Sequence, residues 1–246
     1  MTSQAGYAGR AAYYAAETRQ VHEPALLAGL LRPGLAVAEM PSGTGHFLPA
    51  YSRAGADITL VDACPQMLAA VQATASGNGT AVTTVCGMIE DLPATAGPYD
   101  LIVMPNGALN QLAAATPPGE LLTAVARLLA PGGLILAQVL SPGVACDFYD
   151  PALADGQWRR DRQFPGPNGQ AVARRRRQRH EDGLVHIEFE LTCGGHLVHQ
   201  QQVTLKPMTG ACVREALASA GLRTAGTRGS SGLGEFVGVG QPQRTP

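Results

Sequence analysis

Residues 35–45 read Leu35-Ala36-Val37-Ala38-Glu39-Met40-Pro41-Ser42-Gly43-Thr44-Gly45, an apolar run that ends in an acid and passes directly into a loop of small residues. Gly43 and Gly45 let a backbone approach a ligand closely, and a helix expected from about residue 45 would add free N–H groups and the positive end of a dipole. Such a turn suits a nucleotide-like or amino-acid-like ligand. Glycine also serves geometry alone in many strand-to-helix connections, so the turn by itself leaves both readings open.

About twenty residues on, a second apolar run, Ile58 to Val61, ends in Asp62 and is followed by Ala63-Cys64-Pro65-Gln66-Met67-Leu68. A carboxylate at the end of the second strand can accept hydrogen bonds from both hydroxyls of a ribose, the arrangement of doubly wound nucleotide folds. Pro65 suits a first helical position, and Met67 then lies one turn in, where a polarisable side chain could face a purine. A helix-capping Asp62 and a core Met67 are the plainer alternatives.

Periodicity places strands at about 35–40, 57–61, 82–86, 100–104 and 134–140, alternating with helices at about 45–54, 65–75 and 118–130, after a helix over Ala25 to Leu31. Strands separated by helices predict a parallel sheet covered on both faces. A helix from Gly210 to Ala220 and strands near 222–227 and 235–239 would complete it. Ligands of such sheets sit at the carboxyl ends of the strands, where Glu39, Asp62, Met88 and Asn106 fall.

These landmarks continue through Gly87-Met88-Ile89-Glu90-Asp91-Leu92-Pro93, Tyr99-Asp100-Leu101-Ile102-Val103 and Leu129-Ala130-Pro131-Gly132-Gly133-Leu134. In that order, over about residues 35 to 140, the chain resembles a class I S-adenosylmethionine-dependent methyltransferase. The resemblance implies an α/β, Rossmann-like fold with a mostly parallel seven-stranded sheet, and S-adenosylmethionine as cofactor, released as S-adenosylhomocysteine. It implies that Glu39 organises the glycine turn and meets the methionine amino group directly or through water. Gly43 and Gly45 would lie against the methionine and ribose portions, Asp62 with Ala63 beside it would hold the ribose, and Met67, Met88 and Ile89 would lie at the adenine.

Two positions depart from the family. Pro41 stands where the first glycine is common, and proline offers no N–H to a cofactor. Met88 replaces the usual acid, so the base would lean on backbone near Ile89 and on apolar packing.

Between about 142 and 206 the pattern changes to period two. Three antiparallel strands are expected, at about 172–180, 184–192 and 196–205, with turns at Asp182-Gly183 and Gly194-Gly195. This inserted β lid resembles the one that covers the acceptor in aminosugar N-methyltransferases. A single domain over 1–246 is thus expected: an N-terminal lid segment at 1–21 with Tyr7, Tyr13 and Tyr14, a cofactor core at 22–141, the lid at 142–206, and a C-terminal helix and strands at 207–246. The run Arg174 to Arg177 with Arg179 should alternate between strand faces, as a solvated edge strand with charges opposing Glu188 and Glu190, so it forms no continuous nucleic-acid stripe.

With 246 residues, 45% of them hydrophobic, and a formal net charge of −1, the chain can bury one core, and nothing in its balance calls for nucleic acid or membrane. Five cysteines without metal-ligand spacing, and no signal-peptide pattern at the start, lead us to expect reduced thiols, a cytoplasmic monomer or homodimer and no metal.

A sulfonium is already an activated electrophile, so an amine needs only its neutral form, alignment and exclusion of water. The segment Pro105-Asn106-Gly107-Ala108-Leu109-Asn110-Gln111-Leu112 resembles the polar turn that faces the methyl group in glycine-type and aminosugar-type N-methyltransferases. It holds Asn106 and Asn110, which with Tyr14 are the candidate catalytic residues, although Asn110 reads equally well as a helix cap. A small-molecule amine acceptor in natural-product biosynthesis is the expectation. The alternatives are O-methylation with His186, His196 or His199 as base, and a cofactor-binding module without catalysis.

Overall fold

The computed structural model describes residues 9–17, 23–153, 155–229 and 232–240. Helices α1 (Ala11–Glu17) and α2 (Leu27–Leu30) precede β1 (Ala36–Glu39), and α3 (Leu48–Ala54), β2 (Asp57–Asp62), α4 (Pro65–Gly77) and β3 (Thr83–Cys86) follow. Next come β4 (Tyr99–Met104), α5 (Ala108–Leu112), α6 (Pro118–Ala126) and β5 (Leu129–Leu140). Strands β6 (Arg159–Pro165), β7 (Ala171–Glu181), β8 (Leu184–Cys193) and β9 (His196–Leu205) form a block of their own. The order closes with α7 (Gly210–Ser219), β10 (Leu222–Arg228) and β11 (Leu233–Gly240).

Seven strands share one sheet in the order β10-β11-β5-β4-β1-β2-β3. Pairing is parallel from β5 through β4, β1 and β2 to β3, and antiparallel where β11 meets β5 and β10. The strand order reverses beside β1, between β4 and β2, so the crevice at a topological switch point lies at the end of β1, where Glu39 and the glycine turn sit. Alternation along the strands feeds two cores. Val37, Leu60, Leu101 and Leu136 pack with Tyr51, Leu68 and Val71, whereas Ala38, Ile102 and Ile135 pack with Leu121, Leu122, Val125, Val213 and Leu217.

The sheet agrees with the mostly parallel architecture that the alternation of strands and helices implies. Several boundaries differ for physical reasons. The helix expected over 118–130 stops at Ala126, and β5 starts at Leu129, because Pro131-Gly132-Gly133 is taken into the strand with a register irregularity opposite Tyr99 and Leu101. The helix expected from residue 45 begins at Leu48, since His46 and Phe47 give their amides to Glu39. The helix expected over Ala25 to Leu31 is reduced to Leu27–Leu30. Its preceding amides, Ala25 and Leu26, donate to the buried Glu235 carboxylate of β11 at 2.9 Å each.

The inserted sheet has four antiparallel strands in the order β6-β7-β8-β9, one more than expected. The extra strand, β6, reads Arg159-Arg160-Asp161-Arg162-Gln163-Phe164-Pro165, and only Phe164 is buried, so no period-two apolar pattern announces it. Its presence corrects the placing of the arginine run on an edge: β7 lies between β6 and β8. The cross-strand charge pairing is as read. Arg175 stands opposite Glu190 and Arg177 opposite Glu188, with ion pairs of 2.5 and 2.8 Å, and Arg179 reaches Glu188 at 3.0 Å.

The other face of β7 carries buried charge that links the inserted sheet to α1. Arg174 pairs with Glu17 and, at 2.6 Å, with Asp161; Arg10 pairs with Glu17 at 2.7 Å and donates to Gln201 of β9 at 2.5 Å. Burial pushes the Glu17 carboxyl up, but Arg10 and Arg174 outweigh it and hold it below the usual carboxylate range. A carboxyl depressed in the folded state stabilises above its unfolded pKa and loses that contribution as pH falls.

Glu17→Gln leaves two buried guanidinium groups without their counter-charge and should cost roughly 3 kcal/mol at pH 7 by urea denaturation. The gap between variant and parent should narrow as the parent is acidified through the carboxylate range. A loss well under about 1 kcal/mol, the value of an exposed pair, would show that α1 does not close on the sheet in solution.

Candidate functional site

Glu39 ends β1 and is wholly buried. Its carboxylate accepts from the amides of His46 at 3.0 Å and Phe47 at 3.3 Å, and from the Tyr51 hydroxyl at 2.7 Å. The strand end is thereby tied to the start of α3, and the glycine turn is pulled into a tight arc between them. Burial pushes Glu39 up to about 7 against these three donors, with Asp62 adding to the rise. Pro41 costs the turn nothing: the neighbouring amides of Met40 and Ser42 donate to Val103 and Val61 at 2.9 and 2.7 Å. Gly43 and Gly45 have φ of 52° and 76°, and a Cβ on Gly45 would stand 2.5 Å from Val71 Cγ2, so glycine is needed at both.

Asp62, at the end of β2, accepts from Gly43 N at 2.7 Å and from Cys64 N at 2.8 Å, one bond to each oxygen. The two sequence motifs are thus joined through one carboxylate. Burial raises its pKa, opposed by the Cys64 and Gly43 amides. Each oxygen keeps lone pairs for further donors. Ala63 follows in the connection to α4. Met88 is 41% exposed, an unusual state for a large apolar side chain, next to the buried Ile89 in the turn that follows β3. Met67 is 1% exposed and packs with Ala11, Cys64 and Tyr14, in a core between α4 and α1.

After β4, Asn106 adopts φ 55°, a left-handed conformation in which its amide reaches Gln138 Oε1 at 3.0 Å, while Gly107 N donates to the Gln138 carbonyl at 3.1 Å. A non-glycine residue held there costs on the order of 1 kcal/mol and is found where the surroundings demand it. Phe148, from the segment between β5 and β6, lies against Gly107, its Cζ 3.3 Å from where a Cβ would be. Asn110 lies one turn further on. It is inside α5, fully buried, and donates from Nδ2 to the carbonyls of Leu140 and Lys206 at 2.9 and 2.8 Å while accepting from Leu140 N at 2.7 Å. Both amide hydrogens are used, so Asn110 fastens α5 to β5 and the end of β9.

Helix α1 covers the site from above. Tyr14 lies over Gly43 and bonds His46 Nε2 through its hydroxyl at 3.0 Å, while Tyr13 joins Phe164, Val172 and Leu191 of the inserted sheet. Tyr7 lies outside the described residues. Of the three histidines of the inserted sheet, His186 shares with Glu188 and Glu190 the face of β8 opposite Val185 and Ile187, and bonds Thr204 at 3.2 Å; His196 is exposed at the hairpin. His199 sits beside Gly9, with its pKa lowered by burial and by Arg10.

His46, Gln138 and Phe148 were not singled out in the sequence. Gln138 had a signal, being the one polar residue in the run Leu134 to Leu140. His46 had its position directly after Gly45, and Phe148 had none.

The residues present fit S-adenosylmethionine. Asp62 has lone pairs to spare, Ser42 Oγ and His46 Nδ1 are buried in the glycine turn without a partner, and Met88 offers an exposed apolar face at the neighbouring strand end. A ligand with a polar amino-acid end, a ribose and a flat base matches that sequence of surfaces.

Comparison with known proteins agrees. Residues 37–133 match the family profile described as a methyltransferase domain. Among solved structures, the chain is similar to the CcbJ methyltransferase of Streptomyces caelestis, at 18% identity over 97% of this chain and 99% of that one, with a TM-score of 0.75. It is similar to the sugar N-methyltransferase KedS8 of a Streptoalloteichus species, at 22% identity over 97% and 88% of the two chains, TM-score 0.65. It is also similar to CalS10 of Micromonospora echinaspora, an amino pentose methyltransferase solved with S-adenosylmethionine bound, at 23% identity over 95% and 91%, TM-score 0.63. At these identities the structures establish a shared fold. No curated protein matches the chain in sequence.

Asn110→Ala leaves two carbonyls and one amide without their partner and should cost roughly 2–4 kcal/mol of stability, read from urea denaturation, with cofactor-product affinity nearly unchanged in the folded fraction. Unaltered stability with a large drop in turnover would instead return Asn110 to the chemistry.

Proposed function

We propose that this chain, which belongs to the class I S-adenosylmethionine-dependent methyltransferases, methylates an amine nitrogen of a small molecule of the aminosugar kind. The observation that carries the nitrogen reading is the turn after β4. Asn106 is held in a left-handed conformation by Gln138, and the turn Pro105 to Gly107 offers backbone and amide groups and neither a carboxylate nor an imidazole. A turn of that kind orients an acceptor and takes no proton from it. The similarity to KedS8 and CalS10, whose names give a sugar N-methyltransferase and an amino pentose methyltransferase, supports the same reading.

The cofactor, when bound, supplies a methyl group on a positively charged sulfur that leaves as a neutral thioether. The chain's own contribution is positional. Asp62 would accept from the ribose hydroxyls, and Glu39, through the glycine turn it shapes, would set the amino-acid end. Ala63, Met88 and Ile89 would border the base. Asn106 would accept a hydrogen bond from the acceptor amine and turn its lone pair toward the methyl, with Phe148 bordering the same space. The acceptor nitrogen would carry its new methyl group as an ammonium and then lose a proton to water. Tyr14 serves as cover for the turn, and the inserted sheet with α1 excludes water, which strengthens every charge interaction beneath it.

No helix among the described residues is long and apolar enough to cross a membrane.

The reading is tested with methyl-labelled S-adenosylmethionine and acceptors of matched shape that carry an amine, a hydroxyl or a carboxyl. Label should appear on nitrogen, and the pH midpoint of kcat/KM should follow the pKa of the amine as substrates are varied. Label on oxygen with a fixed midpoint and an inactive His199→Ala variant would favour base-assisted oxygen transfer. Asp62→Ala should weaken S-adenosylhomocysteine by about thirtyfold to a thousandfold, the loss of a charge-assisted pair of hydrogen bonds. Unchanged affinity would remove Asp62 from the ribose site.

A further inference from the structure

The meeting of α1 with the glycine turn leaves one buried nitrogen without a partner. Tyr14 and His46 come together over Gly43: the hydroxyl is 3.0 Å from Nε2, the rings stand edge to face at 5.4 Å, and a Cβ on Gly43 would lie 3.2 Å from the Tyr14 ring and 3.8 Å from His46 Nε2. His46 Nδ1 is sealed from solvent and bonds nothing, and in the same turn Ser42 Oγ is equally buried and unbonded. Buried polar groups without partners are rare in folded proteins, and two in one ligand-facing turn point to a ligand that bonds them.

Burial pushes His46 down to about 4, so the ring is neutral at pH 7 and carries one N–H. A phenol is a better donor than a neutral imidazole N–H is toward a phenol oxygen. The Tyr14 hydroxyl therefore donates to Nε2 and leaves the hydrogen on Nδ1, the atom without a partner. The two acids of the turn suit other parts of the cofactor: Glu39, drawn to its charged form by an ammonium beside it, suits the amino group, and Asp62 suits hydroxyls. The one anionic group of the cofactor is its carboxylate, and a neutral donor can meet it without bringing a second positive charge toward the sulfonium.

We infer that His46 is a cofactor-binding residue, its Nδ1–H donating to the carboxylate of the methionine portion, with Tyr14 as the positioning residue that fixes the ring and its tautomer. This rests on the cofactor reading above. It makes closure of α1 part of cofactor recognition, because the tyrosine that sets the tautomer comes from that helix.

The test is calorimetric titration of S-adenosylhomocysteine and of its decarboxylated analogue, which keeps the amine, ribose and base and lacks only the carboxylate. His46→Leu should weaken S-adenosylhomocysteine by about tenfold to a hundredfold, the range of a hydrogen bond to a charged group, and leave the analogue within about twofold. His46→Asn, which keeps an N–H near the place of Nδ1, should recover most of the loss. Tyr14→Phe should weaken S-adenosylhomocysteine by about threefold to tenfold with the analogue again unaffected, and it carries the test if His46→Leu does not fold. Equal weakening of both ligands, or none of either, overturns the assignment and leaves the pair as packing. Failure of the parent to bind either ligand overturns the cofactor reading itself, and this inference with it; an unchanged Asp62→Ala alongside a selective His46→Leu effect would instead confine the error to the ribose contact.

Discussion

The Glu39 carboxylate is the interaction on which the site depends. It is fully buried at the end of a central strand and takes three hydrogen bonds from the next segment, two from backbone amides and one from Tyr51. That knot fixes where β1 stops, where α3 starts and how the glycines between them turn. Removing a carboxylate from water is expensive, and the three donors only partly offset it, which is why the group is held up to about 7. A positive charge placed beside it would complete the compensation. The empty-handed acid and the cationic amino group of the cofactor are complementary in that sense.

A second group of buried charges sets the geometry above the turn. Glu17 lies between Arg10 and Arg174, and Arg174 continues to Asp161, so α1, β6, β7 and, through Gln201, β9 are joined beneath a hydrophobic surface that includes Phe189. Such a network contributes little net stability over an apolar core of the same shape, but each member becomes costly if separated from its partners. It therefore favours two arrangements, fully closed or opened to water, and disfavours those between.

The central sheet was legible because its signals are local. Apolar runs ending in Glu39 and Asp62, glycine turns and alternating helices each follow from a few neighbouring residues. The inserted sheet was legible where it alternates, as in β8, and not in β6, whose one buried residue, Phe164, packs with Ala16 and Leu191 from far away in sequence. Asn110 shows the limit on the site side. An asparagine after a strand reads equally as a ligand, a cap or a fastener, and only the carbonyls of Leu140 and Lys206, brought from two other elements, decide for the fastener. Met67 sits one helical turn after a ribose-type acid, yet α1 folds down on it, and no pattern near Met67 announces that. His46 was hidden for the same reason: its partner, Tyr14, is thirty-two positions earlier.

The coupling of Glu39 to the cofactor's amino group can be read directly as protons. Titration of S-adenosylhomocysteine at pH 7 in buffers of different ionisation enthalpy should show about half a proton released per ligand bound, as the ammonium drives Glu39 to its charged form, and the Glu39→Gln variant should show none of that release. No release from the parent, or equal release from both proteins, would contradict a cofactor seated with its ammonium at this carboxylate.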